Sequence, residues 1–250
     1  MTIITPAEEA PAPVPAAMPM LLSFVAGYID SYTYLALFGL FAAQVTGSFV
    51  IAGAELVTRE SGVVGKLLAV IAFLVAAALT AALVGFLRHN GQAALPAMLA
   101  LETALLATFA TMILLGPPIN GAGDWYGIVA GLFAAMAMGA QSVLVRLLMR
   151  GIPQTNVMTG NMTQLSIETT ALILAWRRYV REPHTLEGAR EFAAVRKRLW
   201  LVLSVALGFL VGAAAGAVTF ATTGARGALL AVAIVAALAL WALVRERQME

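Results

Sequence analysis

Polar residues crowd into one stretch of this sequence, Pro153-Gln-Thr-Asn-Val-Met-Thr-Gly-Asn-Met-Thr-Gln-Leu-Ser-Ile-Glu-Thr169. The stretch lies between long apolar runs, yet about half of its residues are polar or charged. In a lipid core each unsatisfied polar group costs roughly several kcal/mol. We therefore expect this segment to face protein or a water-filled cavity rather than lipid.

An earlier part of the chain repeats the centre of this stretch. Thr46-Gly47-Ser48 precedes Thr159-Gly160-Asn161 by 113 positions, and the same offset separates Glu55 from Glu168. A Thr-Gly match alone is weak evidence, but the shared register of the carboxylate indicates one structural unit used twice. We expect the Thr-Gly step to break a helix and to free backbone groups for an ion or an anionic group, as half-helix ends do in transporters.

The composition is that of an integral membrane protein. Of the 250 residues 61% are hydrophobic and 11% are charged, and the mean hydropathy is +0.91, whereas soluble domains have about 45–50% apolar and about 25% charged residues. The chain has no cysteine and two histidines, so we predict no disulfide and no thiolate or histidine-cluster metal site. The net charge of +2 does not indicate nucleic-acid binding. Because phosphate-loop, zinc-protease and nucleophile-elbow motifs are missing, we expect neither an enzyme nor a cofactor.

Six apolar runs are long enough to cross a membrane, which takes about 20 residues. They are residues 17–41, 66–87, 95–115, 125–148, 199–221 and 227–244. The sequence thus predicts an all-α membrane protein: a disordered Pro/Ala-rich tail over 1–17, then one transmembrane domain over 18–250. Residues 18–116 and 125–246 would be two inverted three-helix repeats, each with a broken or re-entrant Thr-Gly segment. If both segments cross instead, eight spans form a parallel repeat, and the count of basic residues does not decide between the two.

The loop charges predict the orientation in the membrane. Residues 176–198 carry seven Lys or Arg and are expected to be cytoplasmic, next to anionic lipids, whereas residues 116–124 carry none and are expected outside. Both termini would be cytoplasmic. Gly208, Gly212 and Gly216 form a small-residue stripe, which predicts close helix packing and offers a surface for a homo-oligomer.

Four motifs carry a resemblance to a known family. They are Gly27-Tyr-Ile-Asp30-Ser31, Val45-Thr-Gly-Ser48, Met138-Gly-Ala-Gln-Ser142 and Val157-Met-Thr-Gly-Asn-Met-Thr163. In order and spacing they resemble the YoaK family of bacterial multi-pass membrane proteins. The resemblance implies a compact protein of about six spans in the bacterial inner membrane, with no established substrate. Ser48 departs from the family pattern, which usually has Asn at that position.

The candidate site residues are polar positions deep in the predicted spans. Asp30 lies about 20 Å along the first run at ~1.5 Å per residue, where a carboxylate serves either as a substrate, ion or proton site or as a structural cap. Asn161, Gln164 and Glu168 share one helix face and line either a cavity or a helix contact. The full set of predicted substrate or ion-binding residues is Asp30, Thr46, Gly47, Ser48, Glu55, Gln141, Thr159, Gly160, Asn161, Gln164 and Glu168, with Glu102 and Arg146 as further candidates.

The sequence leaves three functions open. The first is a transporter of a small solute or ion, in which Asp30, Glu55 and Glu168 border one midplane site. Three carboxylates in a low-dielectric cavity cannot all stay ionised cheaply, so one is expected to hold a proton or the group to hold a cation. The second is a channel-like pore where the Thr-Gly segments meet, and the third is a membrane scaffold without transport.

Overall fold

The computed structural model describes residues 15, 17–181 and 186–248, in which every regular element is helical and no strand occurs. The predicted tail falls almost wholly outside these residues. The elements are α1 (Met18–Ala36), α2 (Val45–Thr58), α3 (Val63–His89), α4 (Ala94–Leu115), α5 (Trp125–Leu148), α6 (Met158–Arg181), α7 (Leu186–Thr223), a short 3-10 turn (Gly224–Gly227) and α8 (Ala228–Arg247).

Within the described residues, four helical stretches are long and apolar enough to cross a membrane: Val63–His89, Ala94–Leu115, Trp125–Leu148 and Leu186–Arg247, the last containing α7, the turn and α8. The helical, apolar fold is thus consistent with the membrane protein that the composition predicts. α1 is the most interior helix of the bundle. It carries Asp30 and three tyrosines, which lower its hydropathy, and most of its residues are buried.

α1 and α7 pack side by side in the same direction through the glycine stripe. Gly208, Gly212 and Gly216 lie against the backbone carbonyls of Met20, Phe24 and Tyr28, and a Cβ on any of the three would collide with that carbonyl. Since both series advance by four residues, the two helices are parallel. The stripe is buried within the chain, so it does not supply the homo-oligomer surface considered from the sequence; the prediction of close helix packing is confirmed.

α3 and α5 form a second parallel pair with the same kind of contact. Gly139 lies against the backbone of Phe73, and Gly65 lies against Ile128. α4 packs on α5 and α8, while α8 also contacts α1. Each half therefore packs its first helix on the third helix of the other half, α1 on α7 and α5 on α3.

The two Thr-Gly segments form continuous helices, so the predicted break at the Thr-Gly step is wrong. α2 begins at Val45 and α6 at Met158, one residue before each Thr. Both steps thus fall in the first turn of a helix. Gly47 and Gly160 adopt helical rather than left-handed backbone conformations, since neither is among the glycines with positive φ. The backbone groups that they leave free are those that any helix N-terminus leaves free.

Candidate functional site

Asp30 holds the N-terminus of α2 beside the middle of α1. Its Oδ1 accepts hydrogen bonds from the backbone N–H groups of Ala43 at 2.6 Å and Gln44 at 3.3 Å. Asp30 is 2% exposed and lies three residues, about 4.5 Å, beyond Gly27, the central residue of α1. These contacts are those of the structural cap weighed above for Asp30.

The N-terminus of α6 is held on the other side of the same point. The Ser23 hydroxyl donates to the carbonyl of Thr155 at 2.9 Å, and Gln141 Nε2 donates to Thr155 Oγ1 at 2.7 Å. Asn156 Nδ2 contacts the Ser142 hydroxyl at 2.5 Å. Ser23 precedes Gly27 by four residues, about 6 Å along α1. Both helix N-termini therefore lie close to the middle of the bundle.

From that point α2 and α6 lead in opposite directions. α2 runs toward the C-terminal end of α1, because Lys66 Nζ donates both to Glu55 Oε1 at 2.6 Å and to the carbonyl of Phe38 at 3.3 Å. α6 runs antiparallel to α7, with Arg198 Nε 3.3 Å from Glu168 Oε2. Since α7 is parallel to α1, α6 runs toward the end at which α1 begins.

A cavity of about 390 Å³ lies between the two N-termini. It is lined by residues 43–46 at the start of α2, by 154 and 156–159 at the start of α6, and by Phe73, Ser142, Val143 and Arg146 of α3 and α5. Thr46 and Thr159, the equivalent residues of the two Thr-Gly steps, both line it. Among the described hydrogen bonds none uses the N–H groups of Thr46, Gly47, Thr159 or Gly160. Gly47 and Gly160 are the next residues in the same first turns as the cavity-lining Thr46 and Thr159.

Arg146 brings a cation to this cavity. Its guanidinium takes part in none of the ion pairs formed within residues 17–181 and 186–248. Arg146 follows Ser142 by four residues and so shares its helix face. The sequence favours a positive-inside charge near the inner end of the span for this arginine. It becomes part of the cavity wall because the start of α6 lies opposite α5.

Ser48 and Asn161 make the same contact in the two halves. The Ser48 hydroxyl donates to the carbonyl of Phe41 at 3.2 Å, and Asn161 Nδ2 donates to the carbonyl of Gln154 at 2.7 Å. Each donor reaches back seven residues to the linker before its own helix. Only a donor is needed for this contact, which explains physically why a serine and an asparagine can occupy the two matching positions.

The carboxylates do not converge as the transporter hypothesis assumed. Glu55 lies ten residues after Val45, so about 15 Å of helix separates it from the N-terminus that Asp30 holds. Glu55 pairs with Lys66, and Glu168 pairs with Arg198. Each glutamate thus ties a Thr-Gly helix to the helix that follows it, and neither lines the cavity.

The remaining predicted residues lie at the periphery of the cavity or away from it. Gln164 Nε2 donates to Glu168 Oε1 at 2.9 Å on the exposed face of α6. Gln141 is buried and also donates to the carbonyl of Leu22 at 2.9 Å. Glu102 is 0% exposed in α4, and its two carboxylate oxygens have no hydrogen-bond partner.

Sequence reasoning missed several residues of the cavity wall, above all Asn156, Ser142 and Gln44. Asn156 is 5% exposed, and its Oδ1 has no hydrogen-bond partner. The 113-residue offset could have found Asn156, because the offset pairs it with Ala43, whose N–H donates to Asp30 Oδ1. Within the part of the chain that the structure describes, no group of three or more His, Cys, Asp or Glu side chains could hold a metal ion.

Comparison with known proteins places the chain in a family. No curated protein and no solved structure matches it. One family does, described as "Protein of unknown function (DUF1275)", and the match covers residues 18–241. That span begins with the first residue of α1 and ends within α8, so it includes both Thr-Gly helices and the cavity between them. This protein therefore belongs to the DUF1275 family.

Proposed function

We propose that the protein is a membrane permease for a small solute, with its binding site in the cavity between the N-termini of α2 and α6. The observation that carries the proposal is that cavity, of about 390 Å³, to which the two halves contribute equivalent first turns. Cavities that bind small molecules typically measure about 300–1,000 Å³. Irregular backbone and free N–H groups at membrane depth are tolerated where they line a water-filled cavity.

The proposed membrane topology has six spans, α1, α3, α4, α5, α7 and α8. α2 and α6 would be re-entrant, each starting near the midplane and returning to the side from which its segment entered. α2 has 14 residues, about 21 Å of helix, which is short of the ~30 Å hydrocarbon core. α6 is longer, but its second half pairs with the charged start of α7, where Arg178 Nη1 lies 3.3 Å from Glu191 Oε1.

Two inverted halves account for the equivalent contacts. The hydrogen bonds of Ser48 and Asn161 obey the 113-residue offset at both donor and acceptor. α2 and α6 lead away from the midplane in opposite directions, as inversion requires, whereas a parallel repeat would point them the same way. This is the build of many secondary transporters, whose sites lie at the midplane between half-helices.

A permease explains the cavity better than a scaffold does. Free backbone donors at mid-depth cost free energy unless water or a ligand satisfies them. A protein that only held a partner would be more stable with this space filled by side chains. A channel-like pore uses the same geometry, and saturation of the flux distinguishes the two. By the basic-residue asymmetry, the starts of α1 and α7 face the cytoplasm of a bacterial inner membrane.

Single cysteines test the proposal, because the chain has none of its own. We expect Thr159→Cys in proteoliposomes to react with a membrane-impermeant thiol reagent. Modification should block the uptake of small polar solutes, measured by light scattering after an osmotic step with a panel of neutral and ionic compounds. Val57→Cys is the matched control, because Val57 is 84% exposed on α2 and lies about 16 Å along the helix from Thr46 at ~1.5 Å per residue. Uptake that never exceeds protein-free vesicles, or that survives modification at position 159, would refute the permease.

A further inference from the structure

We infer that the cavity between α2 and α6 binds a small anion, held by the free N–H groups of the two Thr-Gly turns together with the Arg146 guanidinium. The inference rests on the proposed function in that it names the solute class for the same site. It begins with the charges around the cavity. Among the described residues, the wall contains one arginine and no aspartate or glutamate.

The two helix N-termini add positive potential from both halves. A helix N-terminus carries a partial charge of about +0.5 from its unpaired N–H groups and favours an anion within its first turn. Neither α2 nor α6 has an acidic residue in its first turn. Thr46, Thr159 and Arg146 are all exposed, so an anion that enters the cavity can reach both helix ends and the guanidinium.

The two halves differ in how far that potential is already neutralised. Asp30 caps the linker before α2, and its Oδ1 is occupied by the N–H groups of Ala43 and Gln44. The groups that contact the linker before α6 are neutral: the Ser23 and Ser142 hydroxyls and the Gln141 amide. The start of α6 therefore has no carboxylate of its own, and Arg146 stands on the same face as Ser142. The anion should lie closer to Thr159-Gly160 than to Thr46-Gly47.

Asn156 gives an independent indication of a ligand. It lines the cavity, is 5% exposed, and its Oδ1 has no partner among the described residues. Its Nδ2 contacts the Ser142 hydroxyl, which can either donate or accept. The two ends of an amide are assigned from the hydrogen-bond network, so exchanging them keeps the contact with Ser142 and puts the NH2 group at the unpaired position. A buried amide left unpaired costs free energy that an anion would recover.

Anion binding can be measured separately from transport. We would titrate purified protein with sodium and choline salts of nitrate, formate and chloride, using glycerol as the neutral solute, and follow thermal unfolding. A ligand that binds only the folded protein raises the unfolding temperature in a saturable way. We expect protection by an anion irrespective of the cation, and none by glycerol.

Arg146→Gln should weaken this protection by about tenfold or more in midpoint concentration, as expected for the loss of one charge-assisted hydrogen bond. Arg146→Lys should retain part of the protection. Arg226→Gln removes the same charge at a separate surface pocket between α7 and α8, and should change the midpoint less than about twofold. Equal protection of Arg146→Gln and the native protein, or protection by the cation or by glycerol, would overturn the inference.

A second measurement decides the case even if Arg146→Gln does not fold. In the Thr159→Cys protein, nitrate should slow modification by a neutral thiol reagent in proportion to its occupancy of the cavity, and an unchanged rate would overturn the anion site. Anion protection without flux of any solute would keep the anion site and refute the permease. Flux of neutral solutes without anion protection would keep the permease and refute the anion site.

Discussion

The buried ion pair between Lys66 and Glu55 offers the sharpest test of the packing. The side chains of Lys66 and Glu55 are 2% and 9% exposed, and Nζ lies 2.6 Å from Oε1. Lys66→Met keeps most of the volume of the side chain but leaves Glu55 buried without its cation. Removing one partner of a buried pair costs about 3–5 kcal/mol. At about 2–4 °C per kcal/mol for a chain of this size, we expect the unfolding temperature in detergent to fall by about 6–20 °C.

The second half of the chain supplies the matched control. Arg198 also pairs with a buried glutamate, Glu168, but the Arg198 side chain is 60% exposed. Glu168 keeps a hydrogen bond from Gln164 when the arginine is removed. Arg198→Met should therefore cost at most about 1 kcal/mol, the value for an exposed pair. The comparison of the two variants removes any general effect of losing a positive charge.

A double variant separates the lost attraction from the stranded charge. Lys66→Met combined with Glu55→Leu leaves no buried charge, so the unfolding temperature should return toward that of the native protein or rise above it. Fluorescence-detected size-exclusion chromatography after heating measures all four proteins. The reasoning is wrong if Lys66→Met and Arg198→Met unfold at the same temperature, or if the double variant is less stable than Lys66→Met alone.

Two further predictions concern packing and topology. Gly212→Ala should lower the unfolding temperature strongly, because the added Cβ would meet the carbonyl of Phe24. Gly85→Ala should leave the unfolding temperature unchanged or raise it, because its Cβ meets nothing within 4 Å and alanine favours a helix by about 1 kcal/mol over glycine. Thermal unfolding of both proteins measures the difference. Asn120→Cys should react with an impermeant reagent only from outside the cell and Gly188→Cys only from the cytoplasm, and labelling in the reverse pattern would contradict the proposed orientation.

Hydropathy alone placed most of the long helices. The predicted run over 125–148 coincides with α5, and the run over 95–115 misses one residue of α4, because apolar length is a direct consequence of bilayer thickness. The start of α7 was missed by thirteen residues. Its first part, from Leu186, is rich in arginine and glutamate, so a hydropathy window stops at the lipid boundary although the helix continues beyond it.

The site was less accessible to sequence reasoning than the spans. The repeat of Thr46-Gly47 at Thr159-Gly160 marked two segments that each begin a helix, and both Thr46 and Thr159 line the cavity. The interpretation of the Thr-Gly step as a helix break failed, because free N–H groups arise at a helix start without any break. Lys66 was predicted only as the first residue of the apolar run over 66–87. Its pairing with Glu55 depends on how α2 folds back along α3, and a linear pattern does not contain that information.

The proposed halves share a scaffold but differ in chemistry, and that difference gives the cavity its polarity. With the 113-residue offset, Arg146 corresponds to Thr33, whose hydroxyl donates to the carbonyl of Ile29 in its own helix. The cation of the site thus comes from α5 alone, while the carboxylate that caps a linker comes from α1 alone.

Arg146 lies two residues before the end of α5, so the cavity extends from the midplane toward that end of the bundle. On the opposite side, α2 is fastened by the buried Lys66–Glu55 pair. A permease with this arrangement would be open toward the end at which α5 finishes and closed beyond Asp30, and exchange of access would require α2 and α6 to move relative to the parallel pairs α1–α7 and α3–α5.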